Sequence, residues 1–77
     1  MFIINKETMK ENLRQLIKDL LNMEIVEDDA PLEIDSIDLL DLVIKIEDDY
    51  RIHIDFESVR KISLDDLSRL VENLVKR

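Results

Sequence analysis

The residues able to do chemistry in this chain are few. There is no cysteine, a single histidine (His53), and a serine, Ser36, that follows Asp35 where a polar loop meets the most apolar stretch of the sequence. Without cysteine there is no disulfide, no thiolate metal site and no cysteine nucleophile, so any thioester would need a thiol supplied from outside the chain. A serine nucleophile needs a histidine held by an acid. His53 lies beyond the far end of the helix that Ser36 opens, and a helix of about fifteen residues spans ~22 Å, which separates the two widely. An enzyme reading is therefore the poorest. What Ser36 does have is a helix start, whose free amides and dipole favour a phosphate, so the position suits bearing a phosphodiester better than attacking a substrate. The plain alternative is capping, because Asp and Ser both accept hydrogen bonds from a first helical turn. One histidine makes no metal site, and Glu27-Asp28-Asp29 lacks the spaced acids and central Gly of a calcium loop, so no metal is expected.

The elements that must position Ser36 follow from periodicity. Leu39, Leu40, Leu42, Val43, Ile44, Ile46 and Tyr50, interrupted by Asp38, Asp41, Lys45, Asp48 and Asp49, repeat at three and four residues and predict a helix over 36–50. On its projection Ile37, Leu40 and Ile44 fall on the rim of the apolar arc, beside the polar stripe, which is more apolar surface than one small core needs. Upstream, Met9, Leu13, Leu16, Ile17, Leu20 and Leu21, with Lys10, Arg14 and Lys18 on the polar side, predict a helix over about 6–21. Asn5, or Thr8 with Glu11, would cap it, and Asn22 suits a left-handed stop. Met23 to Asp35 is acidic, holds the only proline, Pro31, and reads as a long loop whose Ile25, Val26 and Leu32 tuck into the bundle.

Downstream, Arg51-Ile52-His53-Ile54 alternates with period two and is too short for a sheet, so it reads as an extended linker dropping two isoleucines into the core. Asp55 caps a short helix over about 56–61. Ser63, with Asp66 three residues on, opens a last helix over about 64–76 whose apolar face is Leu64, Leu67, Leu70, Val71 and Leu74, and Lys76 and Arg77 suit its C-terminus. Met9 and Met23 read as core fillers. With 77 residues the chain is one domain, 1–77, and at that size about 60% of the unfolded surface is buried, so stability is modest and any cavity small. The fold expected is an all-α four-helix bundle with three longer helices, one short one and a long loop between the first two.

Charge sharpens the picture. Of the formal charge of -8, residues 27–50 hold ten acids against the single base Lys45, while the remainder holds nine acids against ten bases. The net charge thus sits around Ser36. Such a field repels phosphates, which argues against nucleic acid, and its complement is a basic protein surface steered in by charge. Phe2-Ile3-Ile4 lacks the length of a signal peptide, and no run reaches the ~18 apolar residues of a membrane span, so a cytoplasmic protein is expected.

The triplet Asp35-Ser36-Ile37 resembles the acyl carrier and peptidyl carrier protein family, in which an Asp-Ser-Leu or Asp-Ser-Ile triplet opens the second helix. The resemblance runs from Met9 to Leu74 in the order long helix, long loop, recognition helix, short helix, final helix. Leu42 to Tyr50 looks like the family's apolar helix ending in acids and an aromatic, and Ile52 and Ile54 like its linker residues. Departures are Glu33 and Asn22 where members commonly have Gly, and a loop a few residues shorter. The resemblance implies an acyl-carrier-like bundle in which Ser36, flanked by Asp35, carries 4'-phosphopantetheine transferred from coenzyme A by a phosphopantetheinyl transferase. The chain would catalyse nothing itself, and would hold acyl or aminoacyl groups as thioesters for fatty acid, polyketide or related biosynthesis. Ile37, Asp38, Leu40, Asp41, Ile44, Glu47 and Asp48 would meet loading and processing enzymes with basic docking surfaces. Leu39, Leu42, Val43, Ile46, Ile62 and Leu67 would line a pocket for the attached chain. A monomer is expected. The rival reading is an unmodified carrier-like helical module kept for docking alone.

Overall fold

Helices form where the apolar residues recur at helical spacing. The computed structural model describes residues 6–76, with side chains from residue 8; the cap assigned to Asn5 and the terminal Arg77 lie outside the described residues. The elements are α1 (Lys6–Leu21), α2 (Ser36–Tyr50), a 3-10 turn (Phe56–Val59) and α3 (Leu64–Val75). Among the described residues there is no strand, and no helix is long and apolar enough to cross a membrane.

Several local signals act as their chemistry requires. Asn22 ends α1 in the left-handed region at φ 54, a conformation that Asn tolerates better than most residues. Asp55 accepts from the Glu57 amide at 3.2 Å and so starts the 3-10 turn. The Ser63 hydroxyl accepts from the Asp66 amide at 3.1 Å and starts α3. Other expectations need correction. Thr8 with Glu11 is not the start of α1, which begins at Lys6. The short helix expected over 56–61 is a 3-10 turn of four residues, stopped by extended Arg60 and by Lys61 at φ 57. The last helix ends at Val75 because Lys76 is its cap.

α1 packs more extensively on α3 than on α2. Met9, Leu13 and Ile17 of α1, Leu39, Leu42, Val43 and Ile46 of α2, and Leu64, Leu67 and Val71 of α3 are buried together, with Leu32, Ile54 and Val59 contributed by the connections. Met23 packs against this core half-buried. Leu20 shares the apolar stripe of α1 by angle yet stays exposed, whereas Leu21 in the same turn packs against the core.

The basic side of α1 has a structural use. Arg14 Nη2 donates to both Asp28 carboxylate oxygens at 2.7 and 2.8 Å, and its Nη1 donates to the Ile25 carbonyl at 3.0 Å. Lys10 bridges Asp28 and Asp65, and Lys18 reaches Glu24 at 2.9 Å. Asp65 and Asp28 respectively hold Lys10 and Arg14 above their usual pKa ranges, and Lys18 holds the Glu24 carboxyl below its own. The loop is tied on its other side by Leu32 N–H to the Ile62 carbonyl and Asp65 N–H to the Asp28 carbonyl, each 2.9 Å. Part of the loop's acidity is therefore consumed in fastening it to α1 and α3. Val26, expected to tuck inward, is 91% exposed. It lies between the Ile25 carbonyl and Asp28, both held by Arg14, which leaves its side chain facing out.

In a chain without glycine, Asn22, Arg51 and Lys61 all adopt positive φ. A left-handed non-glycine residue costs roughly 1–2 kcal/mol, and glycine would offset part of that gain through its freer unfolded state. Arg51, the C-cap of α2 at φ 56, makes no ion pair among the described residues. Arg51→Gly is therefore expected to raise unfolding stability by up to about 1 kcal/mol in urea titration, and a loss of stability would show that the arginine side chain contributes more than its backbone costs.

Candidate functional site

Ser36 is the first residue of α2, and Asp35, with φ -68 and ψ 160, is the N-cap. The Asp35 side chain makes no capping bond; its carbonyl accepts the Leu39 amide at 2.8 Å, which is the first turn closing. The amides of Ser36, Ile37 and Asp38 thus remain the unpaired donors of a helix N-terminus. Ser36 is exposed, and neither it nor Asp35 has a side-chain hydrogen bond or ion pair among the described residues. The capping that their residue types suggest is not made. An exposed hydroxyl at the positive end of a fifteen-residue helix is a position where an attached phosphodiester would be favoured by dipole and amides together.

The rim of α2 is open. Ile37, Leu40 and Ile44 are 76%, 48% and 53% exposed, and with Asp41 and Asp48 they fall within an arc of about 100°. Asp38, Asp41 and Asp48 are exposed and have no ion pair among the described residues, while Lys45 is taken by Asp49 at 3.3 Å. Glu47 stands apart from the other acids. It is half-buried, and one carboxylate oxygen accepts the Ile54 amide at 2.8 Å and lies 3.3 Å from His53 Nδ1. Its first task is to hold the linker against the end of α2. His53 itself is exposed and at the end of α2 opposite Ser36. At the last residue of α2, burial pushes the Tyr50 hydroxyl above its usual pKa, a shift opposed by a hydrogen bond with the Asn12 side chain and reinforced by nearby Asp49.

Behind the rim, Leu39, Leu42, Val43, Ile46, Ile62 and Leu67 line one cavity. Its other walls are Leu32, Ile34, Val59 and Lys61. Of these, Leu32 is expected in the interior from its place in the loop; Ile34, Val59 and Lys61 carry no periodic signal that assigns them to the site. The cavity has a volume of about 10 Å³, at the lower limit for one water. An open groove of about 550 Å³ adjoins it, lined by Pro31, Leu32, Glu33, Ile34, Asp35 and Lys61, so it reaches the residue before Ser36. Among the described residues no group of three or more His, Asp or Glu could hold a metal ion.

No protein-family model, curated protein or solved structure matches this chain.

Proposed function

We infer that this chain is a carrier domain: Ser36 bears 4'-phosphopantetheine, and acyl or aminoacyl groups ride on it as thioesters between partner enzymes. The observation that carries the reading is the exposed Ser36 hydroxyl, without a hydrogen-bond partner among the described residues, at the first residue of α2. A hydroxyl kept for capping would be bonded to an amide of its turn. The three helices and the 3-10 turn then correspond to an acyl-carrier-like bundle, the turn standing where such a bundle has its short helix. When bound, the arm supplies the thiol that the chain lacks. The chain's own part is to present Ser36, to favour the phosphodiester with the free amides of α2, and to offer the rim for docking.

Docking combines the two halves of that rim. Ile37, Leu40 and Ile44 supply apolar contact, and Asp38, Asp41 and Asp48 supply charge toward a basic partner, whether a phosphopantetheinyl transferase or a loading enzyme. Asp41→Lys or Asp48→Lys is expected to weaken partner binding while leaving fold stability within about 0.5 kcal/mol, since exposed charges affect encounter more than stability. Rising salt is expected to weaken wild-type binding too, because exposed charges are screened over roughly 8 to 10 Å at ordinary ionic strength. Unchanged affinity in both variants would move the docking surface elsewhere.

The experiment that decides the function is intact mass before and after incubation with coenzyme A and a broad-specificity phosphopantetheinyl transferase. A gain of one phosphopantetheine is the expected result. No gain would favour the rival reading, an unmodified module using the same rim for docking alone.

A further inference from the structure

The cavity and the groove share three wall residues, Leu32, Ile34 and Lys61. Leu32 is fastened to another segment, and Lys61 is an exposed cation. Leu32 is buried and its amide donates to the Ile62 carbonyl at 2.9 Å, and Lys61 sits in the turn closed by Ile62 N–H to the Val59 carbonyl at 3.3 Å. Ile34 is half-buried and has no backbone hydrogen bond to another segment among the described residues. It is the half-buried apolar side chain common to both spaces. Its side chain stands between an apolar interior, where Leu42, Ile46, Val59 and Leu67 are each at most 2% exposed, and a groove edged by the charged residues Glu33, Asp35 and Lys61.

We propose that Ile34 is the gate that keeps carried cargo out of the interior, so that this chain holds small acyl groups in the Pro31–Asp35/Lys61 groove and does not shelter long ones. The proposal rests on the carrier reading above. A space of about 10 Å³ holds at most one water, whereas a medium-length acyl chain needs several times as much, and admitting it requires the well-packed interior to separate. The groove needs no such opening. It is already about 550 Å³, begins at Asp35, the residue before Ser36, and lies open to solvent with Glu33, Asp35 and Lys61 among its lining, so a group held there stays in contact with water. Truncating Ile34 would join the two spaces and give an alkyl chain an apolar place to go.

The test loads Ser36 with acetyl- or octanoyl-phosphopantetheine, using the transferase with acetyl- or octanoyl-coenzyme A, and follows thioester loss to hydroxylamine by intact mass. In wild type the two thioesters are expected to be lost at closely similar rates. In Ile34→Ala the octanoyl form is expected to be lost several-fold more slowly than the acetyl form, with Ile34→Val between. Thermal midpoints of the same species give an independent reading: octanoylation should raise the midpoint of Ile34→Ala and leave that of wild type unchanged. Should Ile34→Ala fold poorly by circular dichroism, the wild-type comparison and Ile34→Val still decide. An octanoyl group already protected several-fold in wild type, or unprotected in the smaller-residue variants, overturns the gate. Failure of any acyl-phosphopantetheine to add to wild type overturns the carrier reading and the gate with it, whereas successful loading without the protection pattern overturns the gate alone.

Discussion

Ile46→Ala is expected to destabilise the fold by about 2 to 5 kcal/mol, while Ile44→Ala, two residues away on the same helix, costs well under 1 kcal/mol. Ile46 is fully buried and its side chain lines the small cavity beneath α2, so truncation enlarges a void that is already at the limit of what water can fill. The loss combines transfer of three methyl or methylene groups with the cavity they leave. Ile44 is 53% exposed at the edge of the apolar arc, so its truncation removes surface that a partner would cover. For a domain of this size each kcal/mol moves the thermal midpoint by roughly 4–8 °C, so urea titration and thermal scans both resolve the pair. If the two variants lose equal stability, Ile44 belongs to the core and the apolar half of the rim rests on Ile37 and Leu40.

The contrast between those two isoleucines was legible because it needs only helical geometry. Once the apolar run places α2 over 36–50, the angle of each side chain decides which residues reach the core. The same local logic located Ser63 with Asp66 at the start of α3 and the left-handed stop at Asn22. What escaped was set by partners distant in sequence. Glu47 reads as one more acid on a solvated stripe, and only the return of the linker brings the Ile54 amide to 2.8 Å from it. Val26 reads as core by composition, but Arg14 holds the Ile25 carbonyl before it and the Asp28 carboxylate two residues after it, and the Val26 side chain is exposed. The end of the 3-10 turn depends on a lysine adopting φ 57, a conformation that its residue type disfavours and that packing must impose. Asp35 and Ser36 show the reverse case. Their types announce a cap, yet the geometry leaves both side chains without a bond to the helix.

That last difference changes what Ser36→Ala should do. A hydroxyl engaged as a cap would contribute about 1 kcal/mol, but the Ser36 hydroxyl bonds no amide of its turn and Ala is the better helix former at an exposed first-turn position. The variant is therefore expected to unfold within about 0.5 kcal/mol of wild type and to show the same helical circular dichroism. Its modification should vanish altogether, because no other serine is presented in the same way. The chain has four serines. Ser63 is buried and accepts the Asp66 amide, Ser68 is buried and donates to the Asp65 carbonyl at 2.8 Å, and Ser58 is exposed but lies in a turn of four residues without a helix dipole behind it. Intact mass after treatment with coenzyme A and transferase, followed by peptide mapping, separates the cases. Phosphopantetheine on Ser36→Ala would shift the attachment site to Ser58 and remove the reason for reading the acidic rim of α2 as the docking face. A large loss of stability with no modification in either protein would instead make Ser36 a structural residue after all.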